Sequence, residues 1–142
     1  MEFPQPQPAM VLRYSYLWHR EHITGQDAGL KDRPAVVILA TEIENNEFIV
    51  TVAPITSAPP DDLRSIFEIP LQTKERLGLD HRKSYVVLTE VNRFRWPGPD
   101  LRPADGIRFH YGFLATKTFR RLKSRVEEEA SKRRLRFVMR TE

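Results

Sequence analysis

With 142 residues, 40% of them hydrophobic, the chain has enough apolar side chain for one core and too little for two ordinary domains. It contains no cysteine, which excludes disulfides and thiol catalysis and removes the commonest tetrahedral zinc ligands. The 23 Lys and Arg against 19 Asp and Glu leave a net charge of +4, which mildly favours anionic partners, and no apolar run approaches the roughly 20 residues that cross a bilayer. With no basic-then-apolar leader pattern, a cytoplasmic, membrane-free protein is expected.

Residues 1–9 read as an extended, poorly ordered tail without a packed role, because Pro4, Pro6 and Pro8 alternate with polar residues. Residues 10–142 read as one domain. Over 11–18, Leu12, Tyr14, Tyr16 and Trp18 alternate with Val11, Arg13, Ser15 and Leu17, a period of two that predicts a strand. The polar stretch 19–32, with Gly25 and Gly29, predicts a long loop. The continuous Val/Ile/Leu run 34–40 predicts a strand buried on both faces, opened by Pro34 where a strand tolerates proline. Residues 48–53 predict the next strand, antiparallel to it if Glu44-Asn45-Asn46-Glu47 closes a hairpin.

Pro59 and Pro60 stop that strand. Strands follow at 65–69 and 84–91, separated by a helical turn over 72–77 that Gly78 ends. Residues 107–113 alternate again, with Ile107, Phe109 and Tyr111 opposite Arg108 and His110, giving about six strands in all. The one long helix is expected over 116–134. Phe119, Leu122, Val126 and Ala130 form its apolar stripe, and Glu128/Lys132 and Glu129/Arg133 form i, i+4 pairs. Lys117, Arg120, Arg121 and Lys123 in its first turns read more readily as a solvated face than as an anion-binding end.

Three segments, in this order and spacing, carry a resemblance: Gly29-Leu30-Lys31-Asp32-Arg33-Pro34-Ala35-Val36-Val37-Ile38, then Val52-Ala53-Pro54-Ile55-Thr56-Ser57, then Tyr111-Gly112-Phe113-Leu114 ahead of the helix. Together they resemble the MazF/PemK family, the toxins of bacterial toxin-antitoxin pairs. The resemblance implies a mainly β fold, an SH3-like small barrel with a C-terminal helix. It also implies a metal-independent endoribonuclease that cleaves single-stranded RNA, needs no cofactor, and is silenced by a cognate antitoxin. By position the family's catalytic arginine is Arg33 and its hydroxyl is Thr56. The acidic residue of some branches falls on Glu90, an Asp-to-Glu departure. The loop histidine of some members falls on Gln26, and the arginine two residues before the acid falls on Leu88.

Metal-free RNA cleavage needs a base for the 2′-hydroxyl proton, an acid for the leaving 5′-oxygen and cationic donors for charge on the phosphorane. Arg33 supplies a fork matched to phosphate oxygens, and Pro34 holds its backbone extended. Residue type alone also fits an ordinary strand-edge arginine. Thr56 and Ser57 stand past a strand end stiffened by Pro54, placed either to orient a phosphate or to cap a turn before Pro59. Glu90 becomes a base if burial raises its pKa, with Arg93 three residues on as a possible partner; on an exposed strand the two are a plain salt bridge.

Asn92-Arg93-Phe94-Arg95-Trp96 interleaves basic and aromatic groups, as RNA-stacking strands do, so Arg93, Arg95 and Trp96 join Ser57 as candidate RNA contacts. The same alternation fits a strand that buries Phe94 and Trp96. None of His19, His22, His81 and His110 stands in a metal-ligand spacing, so no metal is expected. The expected partners are single-stranded RNA, a cognate antitoxin and a second copy in a homodimer. A protein-binding toxin of the topoisomerase-inhibitor type, or an inactive family member, is the alternative on the same fold.

Overall fold

A computed structural model describes residues 3–26 and 31–140. Gly29 and Leu30, which open the first of the three resembling segments, lie outside the described residues. So do residues 27–28 of the expected loop.

The architecture is mainly β, an SH3-like barrel with a C-terminal helix, as expected. Among the described residues it has nine strands where about six were read: β1 (Met10–Tyr14), β2 (Arg33–Glu44), β3 (Glu47–Thr56), β4 (Ile66–Glu68), β5 (Tyr85–Val87), β6 (Glu90–Arg95), β7 (Leu101–Arg102), β8 (Gly112–Phe113) and β9 (Arg136–Met139). The helices are α1 (His19–Ile23), α2 (Leu71–Leu77) and α3 (Thr116–Ser131). Every strand pair is antiparallel except β6 with β9. The hairpin forms where predicted, because Asn45 and Asn46 take left-handed φ of 47° and 65°, which asparagine tolerates best among residues with a Cβ.

Partners change along single strands, and this curls the sheet. β3 pairs with β2 along one edge, while its other edge serves β6 over Ile49 to Val52 and β5 over Ile55 and Thr56. The expected strand 84–91 is accordingly two strands, broken at Leu88 and Thr89. Both faces of β1 and of residues 35–38 in β2 are buried. Val11, Val36 and Ile38 face a cluster capped by Leu122 and Val126 of α3, whereas Leu12, Tyr14, Ala35 and Val37 face a second one with Val50, Val52 and Phe94. Full burial of such side chains contributes about 1.5–3 kcal/mol each. Gly112 has a φ of 126°, and a Cβ there would meet Leu77 at 2.9 Å, so β8 reaches the sheet only with glycine at that point.

Several elements differ from the sequence reading. β1 stops at Tyr14 and α1 interrupts the expected loop, because the chain turns at 15–18 to bury Tyr16, Leu17 and Trp18. Residues 107–113 alternate but pair only at their end. Asp105 Oδ1 accepts the N–H groups of Ile107 (2.7 Å) and Arg108 (2.6 Å), which fixes a turn, and Ile107 is 91% exposed. α3 ends at Ser131 and Arg133 takes φ 57°, so neither expected i, i+4 pair forms; Glu129 pairs instead with Arg134 at 2.9 Å. Glu129 is buried and Ala130 is exposed, so the stripe stops at Val126. Residues 3–9, expected to have no packed role, make contacts: Pro6 is buried, Phe3 meets Phe109 edge-on at 5.0 Å, and Pro4 O accepts Trp96 Nε1–H at 3.0 Å.

Candidate functional site

β2 and β3 run antiparallel with Ala35 opposite Pro54, so the start of one meets the end of the other. Next to that junction β3 passes from β6 to β5. A cleft of about 630 Å³ opens there, and Arg33, Thr56, Ser57 and Glu90 all line it. Trp18, Arg20, Lys31, Asp32, Asp80 and Arg82 complete much of its wall.

Glu90 stands at the head of β6, half-buried. Its Oε1 accepts the Tyr16 hydroxyl at 3.1 Å and the His19 backbone N–H at 2.9 Å, while no described residue hydrogen-bonds Oε2. Burial raises its pKa above the usual carboxylate value, against the lowering pull of the two hydrogen bonds. Tyr16 is pushed well above the ordinary tyrosine value, chiefly by burial and then by the Glu90 charge, so it remains a donor to that carboxylate.

Thr56 is buried, and its Oγ1 accepts the Ala58 N–H at 3.0 Å. That is the turn-capping bond the sequence allowed, and it leaves the hydroxyl proton available to a ligand. Arg33 is half-buried with its guanidinium carbon 4.9 Å from the Trp18 ring centroid, and its Nε is buried without a hydrogen bond among the described residues. Burial lowers its pKa most; Glu21 opposes that shift and Arg20 adds to it.

The wall behind these groups depends on Asn92. Beyond Tyr14 the chain has no strand partner, and the buried Asn92 amide takes that place: it accepts Leu17 N–H (2.9 Å) and donates to Leu17 O (2.7 Å). Arg140 donates to Asn92 Oδ1 at 3.3 Å and to Ser15 O at 2.7 Å, and pairs with Asp100 at 2.9 Å. Trp18, His19 and Glu21 are thereby set in place, with Glu21 accepting the Trp18 N–H at 3.0 Å. Two of the wall's carboxylates are already paired with cations, Asp80 with Lys74 (3.1 Å) and Arg82 (2.9 Å), Asp32 with Arg13 (3.5 Å).

The other candidate contacts stand elsewhere. Arg93 and Arg95 line a depression that shares no lining residue with the cleft. Arg93 does not reach Glu90: residues three apart on a strand point to opposite faces, and Arg93 donates to Thr51 Oγ1 at 3.1 Å and covers Phe137 at 4.6 Å. Arg95 pairs with Glu47 at 3.3 Å. Phe94 is buried and stacks on Tyr14 at 4.9 Å, and Trp96 is held between Phe94 and Phe109, so this aromatic alternation serves the core. Leu88 is fully buried, a position an arginine would not fit, and Gln26 lies outside the cleft lining. No group of three or more His, Asp or Glu gathers in metal-binding geometry among the described residues, and no described helix is long and apolar enough to cross a membrane.

The sequence reading missed Trp18, Arg20, Tyr16 and Asn92 as parts of the site. Tyr16 and Trp18 showed only as aromatic enrichment in an expected strand, Arg20 fell in the expected loop, and Asn92 stood in the segment offered as an RNA contact. A search of curated proteins finds no match. A model of the PemK-like, MazF-like toxin of type II toxin-antitoxin systems matches residues 22–96, more than half of the chain, and that span contains Arg33, Thr56 and Glu90. With the family's segments forming one cleft on a small β-barrel, the chain belongs to the PemK-like, MazF-like toxins of type II toxin-antitoxin systems.

Proposed function

We propose that the chain is a metal-independent endoribonuclease that cuts single-stranded RNA in this cleft. The observation that carries the reading is convergence: Arg33, Thr56 and Glu90, from three separate strands, line the same cavity. Membership of a family whose toxins are generally endoribonucleases supports it.

Glu90 serves as the base. Burial raises its proton affinity toward neutral pH, and its free Oε2 takes the 2′-hydroxyl proton. The 2′-oxygen then attacks phosphorus, a cyclic phosphate forms and the 5′-oxygen leaves. Arg33 donates to the oxygens that gain charge, and the Thr56 hydroxyl orients the phosphate. Among the described residues no histidine lines the cleft, and in this reading the leaving oxygen takes its proton from solvent. Ser57, exposed beside Thr56, contacts the RNA backbone.

An antitoxin partner follows from the family. We read its contact as an acidic, flexible segment that covers the basic cleft and folds on binding, and the toxin itself as a homodimer. Incubation of the purified chain with a long single-stranded RNA in EDTA tests the enzyme. Cleavage is expected, and Arg33→Ala should slow it by about two to three orders of magnitude, as loss of one preorganised donor does. Intact RNA in the presence of folded parent protein would favour the protein-binding or inactive alternative.

A further inference from the structure

Two arginines share one indole at the cleft. The guanidinium carbons of Arg33 and Arg20 stand 4.9 and 5.0 Å from the Trp18 ring centroid, so the two cations are no more than about 10 Å apart. No described carboxylate forms a salt bridge with either. Glu21 attracts Arg33, yet its Oε1 accepts the Trp18 N–H, and Arg20 works against that attraction. Neighbouring like charges repel, and an anionic group bound to each offsets the repulsion.

The platform beneath them is rigid. Trp18 is only 8% exposed and is fixed from both sides in sequence, by the Asn92 clamp on Leu17 and the Glu90 bond to the His19 N–H. Arg20 itself is exposed and lines the cleft, and beyond the Trp18 ring no described residue hydrogen-bonds or ion-pairs its head group. It also lies outside the span 22–96 that matches the family. A planar fork held over an aromatic ring loses little freedom when it binds phosphate.

We propose that Arg20 is a second phosphate-binding residue, which grips the phosphate adjacent to the one Arg33 holds, with Trp18 as their common platform. The inference rests on the RNA reading above. A nucleic-acid strand presents monoanions at regular intervals, which suits two separate cations on one wall.

A short 2′-O-methyl oligoribonucleotide tests it, because the attacking hydroxyl is blocked and binding is read without cleavage. Affinity is measured against KCl concentration for parent, Arg20→Ala and Arg20→Lys. The alanine variant should bind about tenfold more weakly. Its slope of log K on log salt should be shallower by about 0.7, the value for one phosphate contact on a single strand. The lysine variant should keep the parent slope. If the parent binds and Arg20→Ala matches it in affinity and slope, the role of Arg20 is overturned and the RNA reading stands. If the parent binds no oligonucleotide, the RNA reading falls and this proposal with it.

Discussion

Glu90 is held by one oxygen and free at the other, and its burial makes its charge conditional on pH. Because the folded-state pKa is raised, the group's contribution to stability is fully present below the usual value of 4.5 and is lost as pH rises through the folded value. Glu90→Gln keeps an acceptor for Tyr16 and His19 and removes that loss. The variant's melting temperature relative to the parent should therefore climb as pH rises from below 4.5 toward neutrality. The same substitution should cut the RNA-cleavage rate by about a hundredfold or more and abolish the acid limb of the parent's pH-rate profile. A stability difference that does not move with pH would contradict the buried-carboxylate account. At this scale the sequence was legible only through resemblance: residue type alone left Arg33 an ordinary strand-edge arginine. The Trp18 and Arg20 pair was illegible, since a chain turn at 15–18 and a five-residue helix bring them together, and neither follows from periodicity.

Among the elements, the β2–β3 hairpin was readable because its signals are local: an apolar run, two asparagines and another run. β9 was not, since only Val138 of its four residues is buried and Phe137 and Met139 face outward. Its role depends on pairing in parallel with β6, more than forty residues away in sequence. The junction that matters for the site is Asn92, which substitutes its amide for a missing strand beside Leu17. Asn92→Leu keeps the volume but leaves the buried N–H and C=O of Leu17 without partners, at a cost of about 2–4 kcal/mol. Denaturant unfolding should register that loss. The variant should also lose part of the near-UV signal of Trp18 and most cleavage, because the wall carrying Trp18 and the His19 N–H is no longer anchored. An unchanged unfolding midpoint would mean that the clamp is dispensable.

The proposed homodimer requires a contact surface, and the sheet has a candidate away from the cleft. The registers place Leu39 of β2, Thr51 of β3, Arg93 of β6 and Met139 of β9 in a single row across four strands. Leu39 is 43% exposed, Phe137 45% and Met139 55%, and Ile49 is half-buried in the next row. An apolar stretch on an open sheet face, with Arg93 inside its row and Arg95 beside Ile49, has the apolar and arginine-rich composition of an interface. If the proposed homodimer forms through this face, Arg93 and Arg95 act there and not on RNA in the cleft. The parent should then have a dimer mass by light scattering at micromolar concentration. Met139→Asp combined with Leu39→Asp should shift it to a monomer, since each places a charge in a desolvated contact. Both side chains are solvent-exposed in the single chain, so the melting temperature of the monomeric variant should change little apart from the loss of dimer linkage. A double variant that keeps the dimer mass would move the interface elsewhere, and Arg93 and Arg95 would return as candidate RNA contacts. A parent with monomer mass at that concentration would remove the dimer itself.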